Sequence, residues 1–102
     1  QRAIIAWLRW HGWATYEFAK PGGHEALRGT VPVGWPDVLA IKDGVHRYIE
    51  VKVPGKNATL KQAAMHEGLR FAGCSVAVVH SVDELIEWLT PIETRRLRYE
   101  AL

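Results

Sequence analysis

The residues with the clearest chemical potential are Asp37, Glu50 and Lys52, which lie on two short apolar runs joined by the dipeptide Asp43-Gly44. An Asp-Gly connection of this kind predicts a tight β-hairpin. Counting outward from the turn makes Asp37 the direct cross-strand neighbour of Glu50, and the alternation of side chains puts Lys52 on the same face. Adjacent carboxylates destabilise a sheet unless a cation neutralises them, and two carboxylates with waters suit Mg²⁺. The pattern therefore predicts a metal site with an ammonium group beside it.

An alternative interpretation treats Asp37 as a turn residue and Glu50 and Lys52 as a solvated strand face. The hairpin register argues against it, because those charges would share their face with Trp35 and Leu39, an unusual mixture for an exposed surface. The sequence thus favours the metal site.

The elements that must position these residues predict an α/β fold of the order αβββαβα, with a mixed sheet flanked by helices and one further terminal helix. Capping boxes, in which Ser or Thr precedes Glu or Gln by three residues, predict helix starts at Thr59, Ser81 and Thr90. The apolar run 75–80 indicates a buried parallel strand. In order, the predicted elements are a helix over 1–11 buried on much of its circumference, a strand over 14–19, a long loop over 20–33, hairpin strands over 35–41 and 45–53, a helix from Thr59 to Gly73, the strand 75–80, a helix from Ser81 to Leu89, and a terminal helix toward Leu102.

Length and composition indicate one globular domain over residues 1–102. Hydrophobic residues make up 48% of the chain and charged residues 24%, which is ordinary for a soluble protein. No apolar run approaches the roughly 20 residues of a membrane span, and no secretory signal is visible. The single Cys74 lacks a disulfide partner and is expected to be a buried strand residue. We therefore expect an intracellular protein, cytoplasmic if it comes from a bacterium or phage and nuclear if it comes from a eukaryote.

Basic residues are distributed so that they could contact the phosphates of a nucleic acid, although the net charge is only +2. His66 and Arg70 follow Gln62 at four-residue steps, a polar stripe that either reaches DNA or forms a solvated helix face. The other candidate groups are Lys20, His24 and Arg28 in the Gly-rich loop, Lys52, Lys56 and Lys61 after the hairpin, and Arg95, Arg96 and Arg98 near the end.

These features together resemble the PD-(D/E)XK nuclease superfamily and, more narrowly, its small stand-alone VRR-NUC (virus-type replication-repair nuclease) domains. The resemblance covers roughly residues 34–89. It rests on the hairpin, on the Gln-bearing helix and on the later strand, with the segments Gly34-Trp35-Pro36-Asp37, Ile49-Glu50-Val51-Lys52, Leu60-Lys61-Gln62, 69–73 and Ser81-Val82-Asp83-Glu84-Leu85.

The resemblance implies that Asp37, Glu50 and the backbone carbonyl of Val51 hold Mg²⁺ or Mn²⁺, with Lys52 near the attacking water. A metal in this position would polarise a phosphate oxygen and lower the pKa of the water. Lys52 could orient the water, help to deprotonate it or stabilise charge on the phosphate. Gln62 matches the family's helix glutamine, which approaches the site, and it is also the capping partner expected for Thr59.

One feature of the family's pattern is missing. Many relatives carry an acidic residue on the first helix that completes the metal shell, whereas residues 1–11 contain none. That residue is expected upstream of Gln1 or is absent, so the number of metal ions stays open. Glu17 is the nearest acidic candidate, and it otherwise belongs to a strand surface.

The expected activity is that of a metal-dependent endonuclease hydrolysing phosphodiester bonds in structured DNA. Small stand-alone members of the resembled family imply a homodimeric Holliday-junction resolvase acting in DNA repair on four-way junctions. Two alternatives remain: a nuclease that cuts flaps or nicks plain duplex, and a non-catalytic DNA-binding module of the same fold. Several large apolar side chains are expected in the core or at a dimer interface, namely Trp7, Trp10, Trp13 and Trp88.

Overall fold

The computed structural model describes residues 1–19 and 31–90, so the loop region 20–30 and the terminal helix expected after Thr90 lie outside the described ranges. Within them the predicted α/β order is confirmed. The elements are α1 (Arg2–Trp10), β1 (Ala14–Glu17), β2 (Val38–Lys42), β3 (Val45–Val51), α2 (Leu60–Phe71), β4 (Ser75–Val79) and α3 (82–90).

The four strands of the described chain form a mixed sheet in the order β1-β2-β3-β4. The β1–β2 and β2–β3 pairs are antiparallel, and β3 and β4 run parallel, as predicted. The hairpin turn has positive φ at both Asp43 (52°) and Gly44 (77°), the backbone that a two-residue turn of this type requires. Pairing runs from Lys42 with Val45 to Val38 with Ile49, which confirms the register counted from the sequence.

One face of the sheet carries the hydrophobic core, and α1 and α3 cover it. Because side chains alternate along a strand, Ile49 enters this core while Glu50 points to the other face, where α2 packs. The core is formed by Ile4, Ile5, Leu8, Trp13, Val38, Ala40, Ile49, Val79, Leu85 and Leu89.

Helix α1 is buried along one stripe rather than around much of its circumference. Trp10 is 87% exposed, which excludes the core and leaves the interface alternative untested, whereas Trp13 is buried and Trp7 and Trp88 pack against the core from its edge. A nine-residue helix on the outside of a sheet has one face toward the sheet and one toward solvent, and Trp10 lies on the latter.

Cys74 also differs from its prediction as a buried strand residue. It is half-buried and precedes β4, and its backbone N–H donates to the Leu69 carbonyl (2.9 Å) in the turn that ends α2. The helix-ending turn extends one residue further than the apolar pattern indicated, because Gly73 adopts a positive φ of 96° and reverses the chain just before the strand.

The predicted capping box is complete at α2 and half formed at α3. At α2, the Gln62 N–H donates to the Thr59 hydroxyl (3.2 Å) and the Thr59 N–H donates to the Gln62 side-chain oxygen (2.8 Å). At α3, the Ser81 hydroxyl accepts from the Glu84 N–H (3.1 Å), but the Glu84 carboxylate accepts from the N–H of His80, one residue before the cap. Both helix starts are therefore held by local side-chain contacts.

Gly34 brings the segment before Asp37 against the first turn of α2. It has a φ of +91°, and a Cβ at this position would lie 2.7 Å from the Lys61 carbonyl oxygen. Only glycine combines this conformation with so close an approach to another backbone.

We expect Gly34→Ala to destabilise the fold by more than the roughly 1–3 kcal/mol that a left-handed conformation costs alone. Gly55→Ala is a matched control, because Gly55 has a similar φ of +85° with nothing within 4 Å of a Cβ. The free energies of unfolding in urea measure both. Equal losses for the two variants would contradict a structural role for the contact with Lys61.

Candidate active site

Asp37 lies where β2 departs from its partner strand. Its N–H donates to the Ile49 carbonyl (3.0 Å) while its carbonyl accepts from the Phe18 N–H (3.0 Å), so its two backbone groups point to opposite neighbours. The Asp37 carboxylate then accepts the Val51 N–H at 2.7 Å, in the place of a backbone carbonyl. The direct cross-strand pairing predicted for Asp37 and Glu50 is therefore wrong. Counted from the turn, regular pairing ends at Val38 and Ile49, and the chain kinks before Asp37. The kink still holds the Asp37 carboxylate on the residue that follows Glu50.

The Glu50 side chain is 2% exposed and points toward α2. Its Oε2 accepts from Gln62 Nε2 at 3.3 Å. Because the other end of the Gln62 amide, Oε1, accepts the Thr59 N–H, the amide is oriented with its donor toward the carboxylate. Gln62 therefore caps the helix and approaches the predicted site at the same time.

His66 occupies a different place from the one expected. It is 2% exposed, and its Nε2 lies 3.6 Å from Glu50 Oε1. A side chain buried against the sheet is not accessible to DNA, so neither the DNA contact nor the solvated helix face holds for His66. The stripe at four-residue steps turns Gln62 and His66 toward Glu50. Arg70 is 43% exposed, and it reaches the sheet by donating to the Val76 carbonyl (2.9 Å).

Lys52 follows β3 and is half-buried, with its N–H bonded to the Val79 carbonyl (3.0 Å). It lines an open groove of about 410 Å³ between the start of α1, the end of β3 and the beginning of α3, with Val51 and His80 among the other lining residues. Lys52 thus follows Val51 in the chain and borders open space, in a groove that neither Asp37 nor Glu50 lines.

An aromatic cluster lies close to these residues in sequence. Trp35 meets Tyr48 edge to face, with ring centroids 5.6 Å apart, and meets Phe18 at 5.9 Å in the same manner. Both contacts are favourable aromatic geometries. Trp35 therefore braces the hairpin through packing.

The remaining predicted residues are distributed as follows. Lys56 and Lys61 are exposed, whereas Lys20, His24 and Arg28, like Arg95, Arg96 and Arg98, lie outside the described residues. Glu17 is exposed on β1, and its carboxylate accepts from the Gln1 side chain (2.9 Å). It pairs with Val38, whose side chain is in the core beneath α1, so it belongs to the opposite face from Glu50.

Comparison with solved structures finds a similar fold elsewhere. A structure described as a VRR_NUC domain superposes with a TM-score of 0.69 at 24% sequence identity, covering 89% of this chain and 89% of that chain. The chain has the fold of a VRR_NUC domain. This confirms the PD-(D/E)XK-like fold predicted from the sequence. No protein-family model matches the sequence, and no curated protein matches it.

Oxygen groups near the end of β3 are the candidate ligands for a metal ion. No group of three or more His, Cys, Asp or Glu side chains within residues 1–19 and 31–90 could hold one. The candidate ligands are instead two carboxylates, of Asp37 and Glu50, and the Val51 carbonyl, which points to the same side of β3 as the N–H bound by Asp37. Hard oxygen ligands completed by water suit Mg²⁺ or Mn²⁺.

No pattern in the sequence indicated the part that His80 plays at the edge of the groove. Its ring lies between two acceptors, with Nδ1 2.9 Å from Glu84 Oε2 and Nε2 2.6 Å from the Lys56 carbonyl. The Glu84 carboxylate, and after it the Lys56 carbonyl, raises the pKa of His80 above its usual 6.5. The His80 backbone N–H and ring in turn lower the pKa of Glu84 below 4.5. His80 thereby ties the segment after Lys52 to the start of α3.

The contacts of the His80 ring with Glu84 and the Lys56 carbonyl, called the His80 contacts below, should make the stability of the fold depend on pH. A raised His80 pKa adds stability that is complete below about pH 6.5 and is lost as the pH rises through the native pKa. The lowered pKa of Glu84 adds stability above about pH 4.5 that is lost as the pH falls through its native pKa. We therefore expect the difference in unfolding free energy between wild type and His80→Gln to be larger at pH 5.5 than at pH 8.5.

Urea unfolding at the two pH values measures this difference. In a Glu84→Gln background the pH dependence of the His80→Gln effect should shrink, because the main cause of the raised pKa is gone. A His80→Gln effect that is the same at both pH values would show that the His80 contacts do not change strength between pH 5.5 and pH 8.5.

Proposed function

We propose that this chain is a metal-dependent nuclease that hydrolyses phosphodiester bonds in DNA. The observation that supports the proposal is the bond from the Val51 N–H to the Asp37 carboxylate, which ties Asp37 to the residue between Glu50 and Lys52 in the fold of a VRR_NUC domain. The open groove that Lys52 and Val51 line would give a phosphate room to approach these two residues.

A bound divalent cation would supply Lewis-acid chemistry, lowering the pKa of a coordinated water and polarising a phosphate oxygen. The chain itself contributes two negative charges, from Asp37 and Glu50, that would hold the cation. Lys52 contributes a positive charge on the groove side, where it would orient the attacking water or stabilise the charge that develops on the phosphate. The buried Glu50 is fixed by Gln62, so its carboxylate does not have to reorganise during the reaction.

We predict that Asp37→Asn and Glu50→Gln each weaken Mn²⁺ binding by more than the roughly 10- to 100-fold that loss of an outer partner costs. Each substitution removes a carboxylate charge with little change in side-chain shape. Calorimetric titration with Mn²⁺ measures the affinity. Asp43→Asn is the matched control, because it removes a carboxylate from the same hairpin at the exposed turn, where Asn is well tolerated. Unchanged affinity in both site variants would refute the carboxylate pair as the metal ligands.

We predict that Lys52→Ala slows cleavage of bound DNA by about 100- to 10,000-fold, the usual contribution of a positioned acid–base group, with nearly unchanged DNA binding. Lys56→Ala should show the opposite division, with weaker binding and a smaller salt dependence but a retained rate at saturating enzyme. Single-turnover cleavage and fluorescence anisotropy separate the two effects. A full rate in Lys52→Ala would remove Lys52 from the mechanism.

We further propose that the substrate is branched DNA, most specifically a four-way junction cut by a homodimer. The described residues supply one candidate site per chain, so paired cuts on both strands require two copies, and a twofold dimer matches the symmetry of a junction. The large exposed side chain of Trp10 is of the type enriched at protein interfaces.

The decisive assay compares a labelled four-way junction, a 5′ flap and a linear duplex, each with Mg²⁺, Mn²⁺ or EDTA. Metal-dependent paired cuts in the junction alone would support the resolvase. Cleavage of the flap, or single nicks in the duplex, would favour the alternative of a nuclease that cuts flaps or nicks plain duplex. DNA binding without cleavage of any substrate would instead identify a non-catalytic binding module.

A further inference from the structure

The face that α2 (Leu60–Phe71) turns to the sheet is polar where it meets Glu50. All residues of α2 are described, and His66 is the one that is buried. Helices packed on a sheet usually bury aliphatic side chains, and histidine is only intermediate in its tendency to be buried. A helix that buries a histidine against a buried carboxylate therefore needs an explanation in terms of that carboxylate.

The two oxygens of the Glu50 carboxylate each lie next to a different residue of α2. Gln62 Nε2 is 3.3 Å from Oε2, and His66 Nε2 is 3.6 Å from Oε1. Gln62 and His66 are four residues apart, so they project from the same face of the helix. Two contacts on two oxygens define the rotation of the carboxylate plane, which one contact does not.

We infer that His66 is a positioning residue that orients the Glu50 carboxylate for the metal, with its Nε2–H directed at Oε1. The inference rests on the proposed metal-dependent function. At 3.6 Å the contact is longer than a hydrogen bond, and such contacts in ligand-free active sites commonly shorten when the site is loaded. The oxygens of a ligating carboxylate are commonly held by outer partners of this kind.

The alternative is that His66 only fills space between α2 and the sheet. In that case any side chain of suitable volume would serve. The two roles differ in what they require of the residue, because orientation needs a donor that reaches Oε1, whereas filling needs only bulk. Glutamine and methionine form a suitable pair for this comparison, since both are unbranched and similar in length and only glutamine can donate.

The experiment is calorimetric titration of wild type, His66→Met and His66→Gln with Mn²⁺ alone, without DNA. We expect His66→Met to lose about 10- to 100-fold in Mn²⁺ affinity and His66→Gln to recover most of it. Thermal unfolding without metal shows that each variant is folded. His46→Met is the matched control, because His46 is exposed on β3 and its ring contacts the Gly44 carbonyl rather than the site.

If His66→Met does not fold, His66→Asn gives the same comparison, because its shorter amide stays polar but withdraws the donor from Oε1. Equal Mn²⁺ affinity in wild type and in the folded variant that lacks the donor would overturn the positioning role while leaving the metal site intact. Failure of His66→Gln to recover affinity would also overturn it. Absence of Mn²⁺ binding by wild type would instead refute the proposed function on which the inference rests.

Discussion

Burial of the Glu50 carboxylate is the constraint on which the arrangement of the other elements depends. Taking a carboxylate out of water costs several kcal/mol unless donors or cations compensate. Glu50 cannot swing out to solvent, because its neighbour Ile49 is anchored in the core on the other face of the same strand. The compensation has to come to Glu50, and it comes from α2 through Gln62 and His66. This explains why the helix meets the sheet through polar side chains rather than through an aliphatic stripe.

Asp37 resolves a second difficulty, which arises where the hairpin ladder ends. Its own backbone turns from β3 toward β1, so the Val51 N–H would lose its acceptor in the sheet. The Asp37 carboxylate takes that N–H and thereby closes the gap. A buried amide left without an acceptor is costly, so the same carboxylate that could hold a metal also completes the sheet. Completing the sheet and binding the proposed metal consequently require the same side chain at this position, a short one with an oxygen acceptor.

Local signals in the sequence predicted the parts of this arrangement that local geometry determines. The Asp43-Gly44 turn fixed the hairpin register, and the spacing of Thr59 and Gln62 fixed the start of α2. Contacts between elements leave no such local signal. A polar stripe at four-residue steps has the same pattern whether it faces water or a buried carboxylate, so His66 was assigned to the wrong side. The kink at Asp37 had one available signal, since a proline directly before it is unfavourable within a ladder.

The first turn of α2 joins the local and the long-range parts of the site. Gly34 lets the segment before Asp37 approach the Lys61 carbonyl, and Gln62 is the next residue. The backbone N–H of Thr59 holds the oxygen of the Gln62 amide, so the opposite end of that amide can only present its donor to Glu50. A rotated amide would put an oxygen against a carboxylate, which is repulsive. A helix cap is worth about 1 kcal/mol in an ordinary helix. Here it also determines that the donor end of the Gln62 amide, not the acceptor end, faces Glu50, a proposed ligand of the metal.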